Sequence, residues 1–272
     1  MPTLQLADLD LYYEELGEGP NLLFANGSGS SIAVARPLIE RLAEHFHVLV
    51  HDQRGLGRTS VPATQPAMAD YAADALALLD HVGWPTTRLI GISFGGMVAQ
   101  EIAVTVPERI ERLALVCTSA GGAAGASYPL HELATLPQEE RDAIGLRLVD
   151  TRYDDEFLAA HPLDRAIVAN RAAGATRERT AEQRRGEAMQ LEARRHHDVA
   201  DRLARISAPT IIACGEFDGI APPANSAAIH ARIAGSELRT YTGGHMFFVQ
   251  DQRALPDILG FLARPSPGGG AP

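Results

Sequence analysis

The sequence predicts an α/β fold in which helices cover both faces of a mostly parallel β-sheet. Short apolar runs alternate with helix-like stretches through the first half of the chain, which is typical of such a sheet. Strand-like runs resume after about residue 206. The length of 272 residues suits one α/β domain, or one domain that carries an insertion.

The predicted strands are short runs rich in leucine, valine and isoleucine. Leu4–Leu6 and Leu9–Tyr13 look like an opening hairpin. Four runs that follow are almost continuously apolar, as expected of buried strands, and they are Leu22–Ala25, His47–Val50, Arg88–Ile92 and Leu113–Cys117. Strand-like runs recur at Pro209–Cys214 and Glu237–Tyr241, each before a polar loop and a helix.

Amphipathic stretches between the first strands predict the helices that connect them. They cover Ala33–Glu44, Met68–Val82 and Gly95–Val106, and Pro107 stops the last of them.

The middle of the chain has a different residue pattern, because charge-rich helical segments without strand-like runs extend from about Gly121 to Ile206. The predicted helices are Pro137–Val149, Asp155–Ala160, Leu163–Ala172 and Thr180–Val199. We therefore divide the chain into a core of residues 1–121 and 206–263, a helical cap of residues 122–205, and a flexible Pro/Gly tail of residues 264–272.

The charge balance limits the possible partners. The chain has 24 Lys and Arg against 34 Asp and Glu, a formal net charge of −10, and no basic run. This argues against binding to nucleic acid or to an anionic membrane. The first residues do not resemble a signal peptide and no window approaches 18 apolar residues, so we expect a cytoplasmic protein in which Cys117 and Cys214 are buried free thiols.

The strongest chemical motif is Gly-x-Ser-x-Gly around Ser93, directly between the strand Arg88–Ile92 and the helix that follows. A serine at the tip of so sharp a turn is exposed above the sheet, and the glycines avoid collisions with the neighbouring strand and helix. Ser93 is the predicted nucleophile. The amide of Phe94 starts the helix, where an unpaired N–H and the helix dipole favour a developing negative charge.

A serine nucleophile needs a base, and the base needs a carboxylate that orients it. His245 follows the last predicted strand and Asp218 follows the strand before it, so both lie at carboxyl ends of strands, as Ser93 does. Glu216 is a competing acid, but it is nearer the strand end and lacks the Gly-Ile-x-Pro context that follows Asp218.

A tetrahedral oxyanion needs two donors. The loop Ala25–Ser31 follows the third predicted strand, and its glycines allow backbone N–H groups to turn toward the site. We expect the amides of Ser28 and Phe94 to form this oxyanion hole.

The remaining histidines are interpreted as structural, and no metal or cofactor is predicted. The pairs His45/His47 and His196/His197 lack a cysteine or carboxylate that would complete a ligand set, and no nucleotide-binding glycine motif is present. The other histidines in this group are His51, His81, His131, His161 and His230.

With these motifs, the chain resembles the α/β-hydrolase family from roughly Leu4 to Leu262. The loop Asp52–Ser60 is similar to the family's Asp-x-Arg-Gly-x-Gly-x-Ser segment. The resemblance implies an eight-stranded sheet with an antiparallel second strand and a helical cap between strands six and seven. It also implies that Ser93 is the nucleophile, Asp218 the acid and His245 the base.

The resemblance leaves the substrate class open. Asn26-Gly27 is similar to the corresponding residues of enol-lactone hydrolases such as 3-oxoadipate enol-lactonase, and the chain is also similar to them in length. Asn26–Gly29 also resembles the His-Gly-Ser-Gly of hydrolases that cleave C–C bonds in ring-cleavage products. Serine in place of aspartate at position 93 disfavours dehalogenases and epoxide hydrolases, which need a carboxylate nucleophile.

The leading hypothesis is a hydrolase of a small-molecule carboxylic ester or lactone. The first alternative, a C–C bond hydrolase of a diketone-type product, requires cap arginines to face the pocket, among them Arg147, Arg152, Arg165 or Arg171. The second is a ligand-binding protein on the same fold that does not turn over substrate. The sequence does not indicate an oligomeric state.

Overall fold

A computed structural model describes residues 2–133, 135–175 and 178–265, and an eight-stranded sheet runs through its centre. The strands are β1 (Thr3–Gln5), β2 (Asp10–Leu16), β3 (Asn21–Ala25), β4 (His47–His51), β5 (Thr87–Ile92), β6 (Ile110–Val116), β7 (Thr210–Gly215) and β8 (Glu237–Tyr241).

The strands lie in the order β1-β2-β4-β3-β5-β6-β7-β8. β2 is antiparallel to both of its neighbours, and every other pair in the sheet is parallel. The eight-stranded, mostly parallel sheet with an antiparallel second strand is therefore confirmed. All six residues of β5 are buried, because this strand lies at the centre of the sheet.

The helices are α1 (Ile32–Ala43), α2 (Met68–His81), α3 (Phe94–Thr105), α4 (Leu130–Leu133), α5 (Gln138–Val149), α6 (Asp155–Ala160), α7 (Pro162–Ala175), α8 (Ala181–Arg195), α9 (Pro223–His230), α10 (Phe247–Gln250) and α11 (Ala254–Leu262). Buried side chains of α2, α3 and α9 pack on one face of the sheet. Those of α1, α10 and α11 pack on the other.

The alternation of side chains along each strand supplies both layers of the core. On β5, Leu89 belongs to the layer beneath α2 and α3, whereas Ile90 belongs to the layer beneath α1 and α11. Successive side chains of a strand point to opposite faces, so a central strand must be apolar at nearly every position. This requirement produces the continuous apolar runs in the sequence.

The segment between β6 and β7 is helical, with α4–α8 and no strand among its described residues. We call residues 122–205 the helical insertion; its role as a separate cap stays a prediction. Helix α8 ends at Arg195, earlier than the predicted Val199. The chain leaves the helix there because the Val199 amide donates to the Ala120 carbonyl and the Ala200 amide to the Asp198 carboxylate.

At the carboxyl end, the carbonyls of Arg264 and Pro265 accept hydrogen bonds from the Arg112 guanidinium. The rest of the predicted tail, residues 266–272, lies outside the described residues. Within the described part of the chain, none of the helices has the length and apolar character needed to cross a membrane.

A close backbone contact joins the helical insertion to the loop after β4. A Cβ added to Gly186 of α8 would lie 1.9 Å from the carbonyl oxygen of Gly55. For Gly145 of α5, in contrast, no atom of the described residues beyond its own helix backbone and chain neighbours lies within 4 Å of such a Cβ.

We therefore expect opposite results from the same substitution at these two glycines. Gly186→Ala should lower the free energy of unfolding by about 1–3 kcal/mol, because α8 must move away from the core. Gly145→Ala should raise it by up to about 1 kcal/mol, because alanine has the higher helix propensity. Urea unfolding of both variants measures the difference; equal stabilities would contradict the close contact.

Candidate active site

Ser93 lies at a strained turn between β5 and α3. Its φ is 55° and its ψ is −114°, a conformation that a residue with a Cβ rarely adopts. A Cβ on Gly91 would lie 2.3 Å from the Gly95 carbonyl oxygen, and one on Gly95 would lie 2.0 Å from that of Ala25. The glycines on either side of Ser93 are thus required by the close approach of strand, turn and helix.

The turn brings Ser93 next to His245, which lies in the loop after β8. His245 Nε2 is 3.0 Å from Ser93 Oγ, and Nδ1 of the same ring is 2.8 Å from Asp218 Oδ2. The structure therefore places the three sequence-predicted side chains in one hydrogen-bonded chain. His245 is 152 positions from Ser93 and 27 positions from Asp218 in the sequence. The three residues meet because the carboxyl ends of parallel strands lie at the same edge of the sheet.

Asp218 is held so that one oxygen is directed at the imidazole. Its side chain is fully buried, and Oδ1 accepts hydrogen bonds from the amides of Ile220 and Ala221 at 2.8 and 2.9 Å. These two amides belong to the Gly-Ile-Ala sequence that follows the aspartate. The competing acid Glu216 is exposed, and Asp218 is the carboxylate that contacts His245.

The loop after β3 lies beside Ser93, since a Cβ on Gly27 would be 3.8 Å from Ser93 Cβ. The Gly27 amide donates to Asn26 Oδ1, the Gly29 amide to Gln190 Oε1 and the Ser30 amide to the Gly27 carbonyl. Among the described residues, these bonds leave the Ser28 amide without an acceptor. Its assignment to the oxyanion hole stays a prediction, as does that of Phe94, whose amide is the first of α3.

Two glutamines fix this loop and were not identified from the sequence. The buried Gln53 donates from Nε2 to the Asn26 carbonyl at 2.9 Å. Gln190 of α8 donates to Gln53 Oε1 at 2.7 Å while its own Oε1 accepts from the Gly29 amide at 2.7 Å. The helical insertion thus contacts the loop directly.

The histidine loop is also held by the helical insertion. The His245 amide donates to the Val149 carbonyl at 2.6 Å, and the Gly244 amide donates to Gln250 Oε1 at 2.8 Å. Gln250 Nε2 in turn contacts Asp150 Oδ2 at 3.0 Å and Asp164 Oδ1 at 2.6 Å. The position of the imidazole therefore depends on polar groups of α5, α7 and the segment between them.

A cavity of about 260 Å³ lies between α8, the segment 126–132 and the start of α3. Its wall includes Met97 of α3, one turn after Ser93, and Arg194 of α8. The four arginines considered from the sequence are not in this wall. Arg147 and Arg165 are exposed, and Arg152 pairs with Asp150 at 2.6 Å. Arg171 is partly exposed, although burial lowers the pKa of its guanidinium.

Burial fixes the protonation state of three other reactive side chains, Cys117, His51 and His197. Burial, and then the charge of Asp218, raise the pKa of Cys117 well above its usual value, so this thiol stays protonated. Burial lowers the pKa of His51, and likewise the pKa of His197, to about 4. Among the described residues, no group of three or more His, Cys, Asp or Glu is arranged to hold a metal ion.

Residues 20–252 match the model of a family with the alpha/beta hydrolase fold. The chain is 27% identical to 3-oxoadipate enol-lactonase 2 of Acinetobacter baylyi over 255 residues, which cover 93% of this chain and 92% of that protein.

Two solved structures are similar over nearly the whole chain. A hydrolase from Pseudomonas aeruginosa is 30% identical with a TM-score of 0.76, and the match covers 97% of this chain and 98% of that one. The enol-lactonase from Burkholderia xenovorans has a TM-score of 0.79, with 97% and 100% coverage, at 22% identity. At 22% identity, the similarity to this enol-lactonase shows only that the two proteins share a fold.

We expect Gln250 to govern the reactivity of Ser93 by positioning the histidine loop. Gln250→Ala should slow the labelling of Ser93 by a fluorophosphonate about 10- to 100-fold, because a small displacement of the base weakens its contact with the hydroxyl. Gln252→Ala, at an exposed position two residues away, should change the rate by less than about two-fold. Labelling of Gln250→Ala at the wild-type rate would contradict this role.

Proposed function

The chain belongs to the alpha/beta hydrolase family, and we propose that it is a serine hydrolase that cleaves a small carboxylic ester or lactone through an acyl-enzyme intermediate. The observation that carries the proposal is the hydrogen-bonded chain from Asp218 through His245 to Ser93. Such a chain activates a hydroxyl that is otherwise a poor nucleophile.

In the first half of the proposed reaction, Ser93 Oγ attacks the substrate carbonyl carbon and His245 Nε2 takes its proton. Asp218 accepts the Nδ1 hydrogen bond and stabilises the imidazolium that forms. The negative charge passes to the carbonyl oxygen, where the amides of Ser28 and Phe94 donate hydrogen bonds to it.

The tetrahedral intermediate then collapses, and its C–O bond to the leaving group breaks. His245 gives its proton to the departing alkoxide, and in a lactone this oxygen remains attached to the acyl part. In the second half, His245 removes a proton from water, which attacks the acyl-enzyme. Collapse of the second intermediate releases the carboxylic acid and returns the proton to Ser93. His245 carries every proton transfer, so the proposed sequence requires no metal or cofactor.

Two observations support the proposal of an ester or lactone substrate: the serine nucleophile and the similarity of the chain to enol-lactonases. A serine at the turn yields a hydrolysable acyl ester on attack at a carbonyl carbon. The matches to the two enol-lactonases cover 93% and 97% of this chain, so they include the helical insertion as well as the sheet. Consistent with the charge balance of the chain, the proposed partner is a small molecule. The proposed location is the cytoplasm.

The proposal predicts that Ser93→Ala abolishes turnover. Wild type should hydrolyse at least one member of a series of 4-nitrophenyl esters from acetate to octanoate and simple lactones, and Ser93→Ala should lose at least about 10³-fold in kcat. Ser207→Ala, at an exposed serine, serves as the control. If wild type is inert across the series, the ester and lactone assignment fails, and a C–C substrate or a binding role takes its place.

The oxyanion hole gives a second prediction, because the proposed donor at position 28 is an amide rather than a side chain. Ser28→Pro removes the amide hydrogen and should lower kcat by about 10²- to 10³-fold. Ser28→Ala keeps that hydrogen and removes a buried hydroxyl that makes no hydrogen bond to a described residue, so its effect should be far smaller. Thermal unfolding of both variants shows whether the loop is intact; equal losses of kcat would exclude the Ser28 amide.

A further inference from the structure

Arg194 carries a positive charge that the described protein groups leave largely unpaired. Its residue exposure is 7%, although it lies on a helix that is mostly polar. Nε donates to Ser127 Oγ at 3.1 Å, but neither Nη1 nor Nη2 makes a hydrogen bond to a described residue. Both nitrogens are buried within a side chain that forms part of the cavity wall.

An arrangement of this kind is unfavourable unless a ligand completes it. Burial lowers the pKa of Arg194 to about 10, so the guanidinium is still charged at neutral pH. The negative charge of Asp218 raises the pKa of Arg194. Both oxygens of that carboxylate, however, already accept hydrogen bonds from His245 and from two backbone amides. A buried charge needs a counter-charge and hydrogen-bond acceptors, and a molecule bound in the cavity can supply those that the described residues do not.

The position of Arg194 relative to Ser93 follows from helix geometry. Gln190, four residues earlier on the same face of α8, contacts Gly29 in the loop beside Ser93. One turn of helix then places Arg194 about 6 Å further along the axis. Met97, which also belongs to the cavity wall, lies in the turn of α3 directly after Ser93, and side chains of a helix lean toward its amino end. The cavity therefore extends from the first turn of α3, next to Ser93, to Arg194.

We propose that Arg194 binds a carboxylate on the acyl part of the substrate. Its two terminal nitrogens form the planar fork that matches the two oxygens of a carboxylate. The substrate class is thus a monoester of a short dicarboxylic acid, or a lactone with a free carboxylate a few carbon atoms from the reacting carbonyl. The reaction in this inference rests on the proposed function, whereas the binding of the carboxylate does not.

The net charge of the chain implies that Arg194 attracts a carboxylate only at short range. A net charge of −10 repels anions at long range, and salt screens that repulsion over about 10 Å. A buried guanidinium acts at contact distance, where water does not weaken it. Recognition of a carboxylate therefore depends on this one side chain rather than on a basic surface.

The test compares substrates that have the same chain length and differ in charge. 4-Nitrophenyl hydrogen glutarate has a carboxylate where 4-nitrophenyl pentanoate has a methyl group, and 4-nitrophenyl methyl glutarate masks that carboxylate. Wild type should prefer the hydrogen glutarate by at least about 30-fold in kcat/KM, the factor expected from one buried charge pair. A ratio near one or below it overturns the inference without the need for any variant.

Arg194→Gln should remove this preference, and Arg194→Lys should restore part of it. Arg184→Gln is the matched control, because Arg184 is an exposed arginine of the same helix and its loss changes the net charge equally. If both glutamine variants reduce the ratio equally, the preference comes from general charge and the inference is wrong. Hydrolysis of the pentanoate by Arg194→Gln shows that the variant is folded.

A binding measurement separates this inference from the proposed function. Calorimetry with glutarate should show one site on Ser93→Ala, and none when Arg194→Gln is added to it. Glutarate binding that depends on Arg194, in a protein that hydrolyses no ester, would support the anion site and reject the ester reaction. Ester hydrolysis with no charge preference and no glutarate binding would support the reaction and overturn the anion site.

Discussion

The arrangement of the site depends on the backbone packing around Ser93. A positive φ at a residue with a side chain is unfavourable by about 1–3 kcal/mol, and it persists because the surrounding structure leaves no alternative. Gly91 and Gly95 allow the strand, the turn and the first turn of α3 to approach more closely than side chains would permit. The Ser93 amide is fixed to the Val116 carbonyl of β6 at 2.8 Å, so the central strands hold the turn from beneath. The serine hydroxyl consequently stays at the sheet edge, within reach of His245.

The rest of the site is positioned as much by the helical insertion as by the sheet. The Val149 carbonyl accepts from the His245 amide, the Leu148 carbonyl accepts from the Gly219 amide beside Asp218, and Gln190 accepts from the Gly29 amide. One side of the insertion therefore contacts the base loop, the acid loop and the loop beside Ser93. A movement of the insertion would change the reactivity of the site as well as access to it, because these contacts include backbone groups of all three loops.

The features predicted correctly from the sequence are those encoded by neighbouring residues. The strands follow from apolar runs, and the turn at Ser93 follows from glycines at fixed spacing between a strand and a helix. Gln190, Arg194 and Gln250 could not be found in this way, because each makes its contacts with residues far away in the chain. Helix α8 illustrates the reason. Its buried face consists of Gly186, Gln190, Ala193 and Arg194, so no apolar stripe marks the side that faces the core.

Burial of polar groups on α8 has consequences for both stability and recognition. Gln190 uses both the nitrogen and the oxygen of its side-chain amide, with Gln53 and Gly29, and such a group fixes the helix in one orientation. Arg194 lies one turn further along in the same orientation, yet its terminal nitrogens have no acceptor among the described residues. Gln190 fixes the orientation of the helix, and Arg194 is the residue that we propose binds the substrate carboxylate. A carboxylate bound at Arg194 would therefore be held at a fixed distance from Ser93, which is the condition for discriminating between acyl chains of different length.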